Sequence, residues 1–152
     1  MFSALTVIDM AIRVEIGGRN MYLAASNAVS DMELKGTFRY LAGQEETHKE
    51  RFEELKRDAE KNQTSNWRVI EPFPSEIVES SLFGEGSVIS RASSAANAGE
   101  LIDIATRFEE DTVSFYSRIL DSARVNARAA VQRILDEEKN HVRILKETKS
   151  RM

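Results

Sequence analysis

Cysteine is absent from the 152-residue chain. Disulfides, thiolate zinc sites, iron–sulfur clusters and thiol nucleophiles are thereby excluded, and cysteine says nothing of the redox compartment. Proline occurs only twice, both times in the central "EPFPSE", and glycine seven times, so the flanking halves hold little that breaks a helix. No apolar run is long enough to span a bilayer. The opening "MFSALTVIDMAIRVE" lacks a basic leader and meets Asp9 early, unlike a signal peptide. An excess of positive charge is missing too: 21 Lys and Arg against 25 Asp and Glu give a net charge of −4 and a pI near 5.3. Nucleic acid and an anionic membrane surface are therefore not expected partners. With 41% hydrophobic and 30% charged residues, the chain fits one globular domain, 1–152, large enough to bury a core. A cytoplasmic location is expected.

What is present is helical periodicity. Leu5, Ile8, Ile12, Glu15, Tyr22 and Val29 recur at helical spacing, and Leu34, Phe38, Leu41, Glu45, His48, Phe52 and Leu55 alternate in fours and threes. Two helices are predicted, about 3–29 and 31–61, with Ser30 and Glu33 in the form of a capping box between them. Ile102, Ala105, Glu109, Thr112, Tyr116 and Ile119 make a third stripe, and Ala127, Val131, Ile134, Glu138, His141 and Leu145 a fourth. These predict helices near 97–121 and 126–149. Residues 62–96 are too long for a tight turn and read as a crossover, with a short helix expected in "PSEIVESSLF" and Trp67 as a packing anchor. Either half alone has two amphipathic helices and nothing to bury their stripes against. The expected fold is all-α, a ferritin-like four-helix bundle of two antiparallel hairpins joined by one long connection.

Each stripe is interrupted near its middle by ionisable residues: Glu15, Glu45 with His48, Glu109, and Glu138 with His141. Burying even one lone carboxylate costs several kcal/mol, and four on a common axis would repel one another. A cation removes the difficulty. Four carboxylates and two imidazoles match a dinuclear iron or manganese site, with one Glu from each of two helices and Glu-x-x-His from each of the others. At about 100° per residue, positions i and i+3 share a helix face one turn apart, so one helix can offer an oxygen and a nitrogen to the same ion. Glu15 and Glu45 stand equally far from Ser30 in sequence, which sets them level across the first hairpin, and Glu109 and Glu138 straddle Ala123 and Arg124 in the same way.

The halves also match each other. "AIRVEIGGRNMY" aligns with "ATRFEEDTVSFY", pairing Glu15 with Glu109 and Tyr22 with Tyr116, and "QEETH" aligns with "EEKNH". A pseudo-twofold bundle with two metals on its axis is expected. A single Glu-x-x-His is weak evidence, but both histidines of the chain lie in such a motif on an apolar stripe, each matched by a lone Glu on the partner helix. Glu46 and Glu137 point off the stripes and are expected on a solvated face. Tyr22 and Tyr116, two turns from Glu15 and Glu109, serve either core packing or hydrogen bonding to the carboxylates. Gly17 and Gly18, inside a helix, allow either close helix approach or access to the metals.

The segments "EIGGRNMYLAAS", "RFEEDTVSFYSRIL" and "ILDEEKNHVRILKE" resemble the rubrerythrin family of the ferritin-like superfamily over nearly the whole chain. The resemblance implies a non-haem di-iron centre that reacts with hydrogen peroxide or dioxygen, of peroxidase or ferroxidase type, in a homodimer. It implies Glu15, Glu45, His48, Glu109, Glu138 and His141 as ligands to two iron ions, with Glu45 and Glu138 bridging and Tyr22, Tyr116 and Thr112 around them. Family members known as peroxidases carry a second carboxylate three residues after the first on the third helix, where this sequence has Thr112. The rubredoxin domain usual in the family needs cysteines that are absent here, so electrons would come from a separate donor such as a rubredoxin-like protein. Both departures favour a simpler ferroxidase-like or oxygen- or peroxide-scavenging bundle. The alternatives are a non-catalytic iron-binding or storage-associated protein, or a dimanganese bundle.

Overall fold

The described residues of the computed structural model are 4–62, 82, 88–122 and 125–152. They form α1 (Ala4–Ala28), α2 (Met32–Asn62), α3 (Val88–Ser93), α4 (Ala98–Ser122) and α5 (Val125–Ser150), with no strand among the described residues. The four long helices fall within one residue of their predicted ends. The expected helix in "PSEIVESSLF", Trp67 and the second turn at 123–124 lie outside the described residues, apart from Leu82, which packs against the core.

Local chemistry sets the helix ends. Asp31 rather than Ser30 caps α2: its Oδ2 accepts the Leu34 N–H at 2.8 Å while its own carbonyl accepts from Lys35 N at 2.9 Å. The expected Ser30–Glu33 box is thus displaced by one residue, because a carboxylate one step nearer the helix satisfies the free N–H groups of the first turn. Lys35 reaches back and donates Nζ to the Ser26 carbonyl at 2.6 Å, closing the end of α1 against the start of α2. At α4, Asn97 Oδ1 accepts from Glu100 N at 2.8 Å and Glu100 Oε2 accepts from Ala96 N at 2.9 Å, a reciprocal cap.

The long helices close a ring in which α1 packs on α2, α2 on α5, α5 on α4 and α4 on α1. Cross-pairing of Tyr22 with Glu109 and of Tyr116 with Glu15 requires α1 and α4 to run antiparallel. Since α2 and α4 both run against α1, the chain leaving α2 must travel back along the bundle before α4 begins. For a helix of 25 residues that is about 37 Å, which explains the long crossover. Part of the crossover is a helix that periodicity did not single out: α3 buries Val88 and Ala92, four residues apart, against α1 and α4.

The stripes of α2, α4 and α5 are buried as predicted, except that Leu55 is only partly covered. In α1 the inward face is rotated. Val7, Ile8, Ala11, Val14, Met21 and Tyr22 are buried, whereas Leu5 is 38% exposed and Ile12 only partly covered. A helix with apolar residues on much of its circumference leaves the stripe ambiguous in sequence, and packing selects the face. No helix among the described residues is long and apolar enough to cross a membrane.

The caps give a direct comparison. Asp31→Ala is expected to lower stability by about 0.5–2 kcal/mol, while Ser30→Ala changes it by less than about 0.5 kcal/mol; urea denaturation of both variants checks the assignment.

Candidate metal centre

The cluster on the bundle axis is assembled by the four long helices. Glu15, Glu45, His48 and Glu138 each offer an oxygen or nitrogen, all within 4.8 Å of one another, and so do Glu45, Glu109, Glu138 and His141. All six side chains are buried. The two groups share Glu45 and Glu138, and the alignment of the halves that exchanges 15 with 109, 45 with 138 and 48 with 141 turns one group into the other. Every sequence-predicted ligand is therefore brought together, in two overlapping sets.

Both imidazoles enter through Nδ1. His48 Nδ1 is 2.7 Å from Glu138 Oε1 and 3.4 Å from Glu15 Oε1. His141 Nδ1 is 3.1 Å from Glu45 Oε1, 3.1 Å from Glu138 Oε2 and 3.3 Å from Glu109 Oε1. The rings stack with centroids 5.7 Å apart.

Without cations this arrangement is electrostatically unfavourable. Burial, together with the charge of Glu138, raises the Glu15 carboxyl well above its ordinary value; burial and the charges of Glu109 and Glu138 do the same to Glu45. Burial and Glu138 push Glu109 up to about 7. Burial would also raise Glu138, but hydrogen bonds from Glu109, His141 and His48 outweigh it and hold Glu138 well below the carboxylate range. Both histidines are raised, because the surrounding carboxylates overcome the opposing effect of burial. Even so, Glu15 Oε2, both oxygens of Glu45, Glu109 Oε2 and His141 Nε2 are buried with no hydrogen-bond partner among the described residues. Unpaired carboxylate oxygens at the centre of a dry bundle are what a metal ion would satisfy, and two divalent cations balance four carboxylates with both imidazoles neutral. The residues fit a dimetal centre with oxygen and imidazole ligands.

Neighbouring groups orient these carboxylates. Tyr22 donates its hydroxyl to Glu109 Oε1 at 2.6 Å and Tyr116 donates to Glu15 Oε1 at 2.9 Å, each across the two hairpins. Burial and the nearby carboxylates keep both phenols well above their ordinary value, so they remain donors. Packing and hydrogen bonding, alternatives in the sequence, are both served. Thr112 is buried, but its hydroxyl donates to the Phe108 carbonyl at 2.9 Å, which uses its only proton within the helix. Glu46 forms ion pairs with Arg19 at 2.6 Å and Lys49 at 3.0 Å on the partly exposed flank of the bundle. Glu137 corrects an expectation. Instead of standing in solvent it lies 2.6 Å from His48 Nε2 and accepts from Arg51 Nη1 at 2.8 Å. The available signal was its position three residues after buried Ile134, which places it beside the stripe rather than opposite it.

The two glycines separate. A Cβ on Gly18 would lie 3.0 Å from Phe108 Cε1 and 3.4 Å from Glu45 Oε2, whereas one on Gly17 would meet nothing within 4 Å among the described residues. Gly18 therefore allows α1 to approach the cluster closely, and among the described residues nothing around Gly17 requires glycine. Gly17→Ala is expected to raise stability by about 0.5–1 kcal/mol through helix propensity. Gly18→Ala lowers it by about 1–3 kcal/mol through overpacking against Phe108 and Glu45, and denaturation of the metal-free proteins reads the opposite signs.

Protonation gives a second prediction. Glu15, Glu45, Glu109 and both histidines hold protons that the unfolded chain has released at neutral pH, so the metal-free fold gains stability as pH falls from about 7 toward about 5. Glu138 opposes this only below its ordinary value of 4.5. Entering cations must displace the same protons, so metal affinity falls over that interval. Melting curves with and without metal are expected to converge as the pH is lowered.

The comparisons with known proteins agree with this fold. A Thermotoga maritima protein, described as a candidate ferritin-like diiron-carboxylate protein, superposes with a TM-score of 0.69 at 26% identity, over 98% of this chain and 95% of that one. A hypothetical protein from Pyrococcus furiosus superposes with a TM-score of 0.67 at 19% identity over 98% and 89%, which supports the fold alone. No curated protein sequence matches. The sequence model of the rubrerythrin family matches residues 6–149, a span that contains every residue of the buried cluster, and the chain belongs to the rubrerythrin family.

Proposed function

We propose that the chain holds two iron ions and acts as an oxidoreductase on hydrogen peroxide or dioxygen. The observation that carries this reading is the pair of overlapping four-residue groups with unpartnered carboxylate oxygens between them. Glu15, Glu45, His48 and Glu138 would hold one ion, and Glu45, Glu109, Glu138 and His141 the other. When bound, two ferrous ions would supply the two electrons that, with two protons, cleave the O–O bond of one hydrogen peroxide and give two waters, each ion becoming ferric. Glu45 and Glu138, common to both groups, keep the two positions at a fixed spacing. Tyr22 and Tyr116 hold Glu109 and Glu15 in place by their hydroxyl protons, and the buried apolar side chains around the cluster exclude bulk water.

Where peroxidases of the family have a further carboxylate on the third long helix, Thr112 spends its hydroxyl on the backbone. That supports a fixed ligand set and a ferroxidase-like or scavenging activity. The 152 residues hold no cysteine to ligate an electron-transfer iron, and the reading assigns the return of electrons to a donor outside this bundle, such as a rubredoxin-like protein. A cytoplasmic homodimer completes the reading, with the exposed apolar side chains Leu23, Met32 and Tyr40 of the α1–α2 hairpin offered for the contact between chains.

Anaerobically purified protein is expected to contain about two irons per chain, and its near-ultraviolet absorption to change on addition of one equivalent of peroxide. Glu45→Ala and Glu138→Ala are each expected to reduce peroxide-dependent Fe(II) oxidation by at least about 100-fold. Undiminished oxidation in both variants would remove the assignment. Manganese in place of iron, with no spectral change, would favour a dimanganese centre built on the same ligands.

A further inference from the structure

The halves of the bundle match closely at the cluster and differ just outside it. Each half presents one imidazole to the carboxylates through Nδ1, but the far nitrogens have different surroundings. His48 Nε2 lies 2.6 Å from Glu137 Oε2, and Arg51 donates to that same oxygen at 2.8 Å. Arg133, 3.8 Å from Glu137 Oε1, stands on the other side of the carboxylate. Glu137 is thus held between two cations at the rim, 30% exposed, and reaches inward to a buried ring. His141 Nε2 is buried and has no hydrogen-bond partner among the described residues.

The sequence accounts for the difference. The alignment that pairs His48 with His141 sets Gln44 opposite Glu137 and Ile144 opposite Arg51. One half carries a carboxylate backed by a guanidinium, and the other an amide and an aliphatic side chain. Nearer the axis the match is close: Glu45 and Glu138 are common to both groups, and each remaining Glu accepts from a tyrosine. The outer contact of the histidine is where the two positions part.

That contact bears on metal binding. An imidazole that binds a cation through Nδ1 must carry its proton on Nε2. A carboxylate at 2.6 Å from Nε2 accepts that proton's hydrogen bond, selects the tautomer, fixes the ring plane and makes Nδ1 a stronger donor to the metal. At His141 the same tautomer leaves a buried N–H unpaired.

We propose, on the basis of the dimetal reading above, that the two metal positions are inequivalent: Glu137 is a positioning residue that makes the His48 position the tighter one for a divalent transition-metal cation, and the first to fill. The dimetal reading gives two positions; the order of filling comes from Glu137, which has Gln44 and no carboxylate as its counterpart in the other half.

Anaerobic titration of the metal-free protein with Co(II), followed by its visible absorption, tests the proposal. The wild-type chain is expected to bind two equivalents in two steps separated by about 10- to 100-fold in affinity. Glu137→Ala weakens the first step by a comparable factor, leaves the second unchanged, and so brings the two together. Glu137→Gln, which keeps an acceptor oxygen without the charge, recovers part of the loss. Two equivalents bound in a single step by the wild-type chain, or equal weakening of both steps by Glu137→Ala, would overturn the inference while leaving the dimetal reading intact. Failure of the wild-type chain to bind Co(II) at all would overturn both.

Discussion

The structure depends on one electrostatic constraint. Four glutamates and two histidines share a buried axis where water cannot reach them, and their mutual repulsion has no solution within the protein alone. Protons relieve part of it, as the raised carboxyls of Glu15, Glu45 and Glu109 show, but oxygens remain without partners. The surrounding features follow from managing that charge. Tyr22 and Tyr116 hold carboxylates still, Gly18 lets α1 come close to Glu45, and the apolar stripes of four helices keep solvent away. A bundle designed only for stability would place leucine at these positions, so the polar axis is evidence of function.

The fold and the six central residues were legible in the sequence because two regularities coincide there. Apolar residues at 3.6-residue spacing define which face is buried, and an ionisable residue on such a face is conspicuous. Glu45 and His48 could be read because they continue the run from Leu34 to Phe52 without changing its phase. The equal spacing of Glu15 and Glu45 about the first turn then brought residues on different helices to one level. The internal match between halves supplied the remaining partners.

Other features were less legible, each for a physical reason. The inward face of α1 is ambiguous because apolar residues occupy much of its circumference, and only packing against α2 and α4 left Leu5 outside. Asp31 and Ser30 are both good capping residues, and their competition is decided by backbone geometry at a single turn. The helix α3 is six residues long, too short for periodicity to reveal. Glu137 lies beside a stripe rather than on it, so periodicity assigned it to solvent, while its contact with His48 depends on how α2 and α5 face each other across the bundle. Interactions between helices at the margin of a face are three-dimensional facts that one-dimensional spacing does not encode.

The sharing of cluster residues between hairpins has a consequence for assembly. Each four-residue group draws on both hairpins: Glu138 of the second joins Glu15, Glu45 and His48 of the first, and Glu45 of the first joins Glu109, Glu138 and His141 of the second. Neither hairpin contains a complete site, so each is chemically half of a two-body receptor. The crossover from α2 to α4 thereby acts as a tether that sets the effective concentration of one half about the other. Within one chain it makes the meeting of the two halves a unimolecular event.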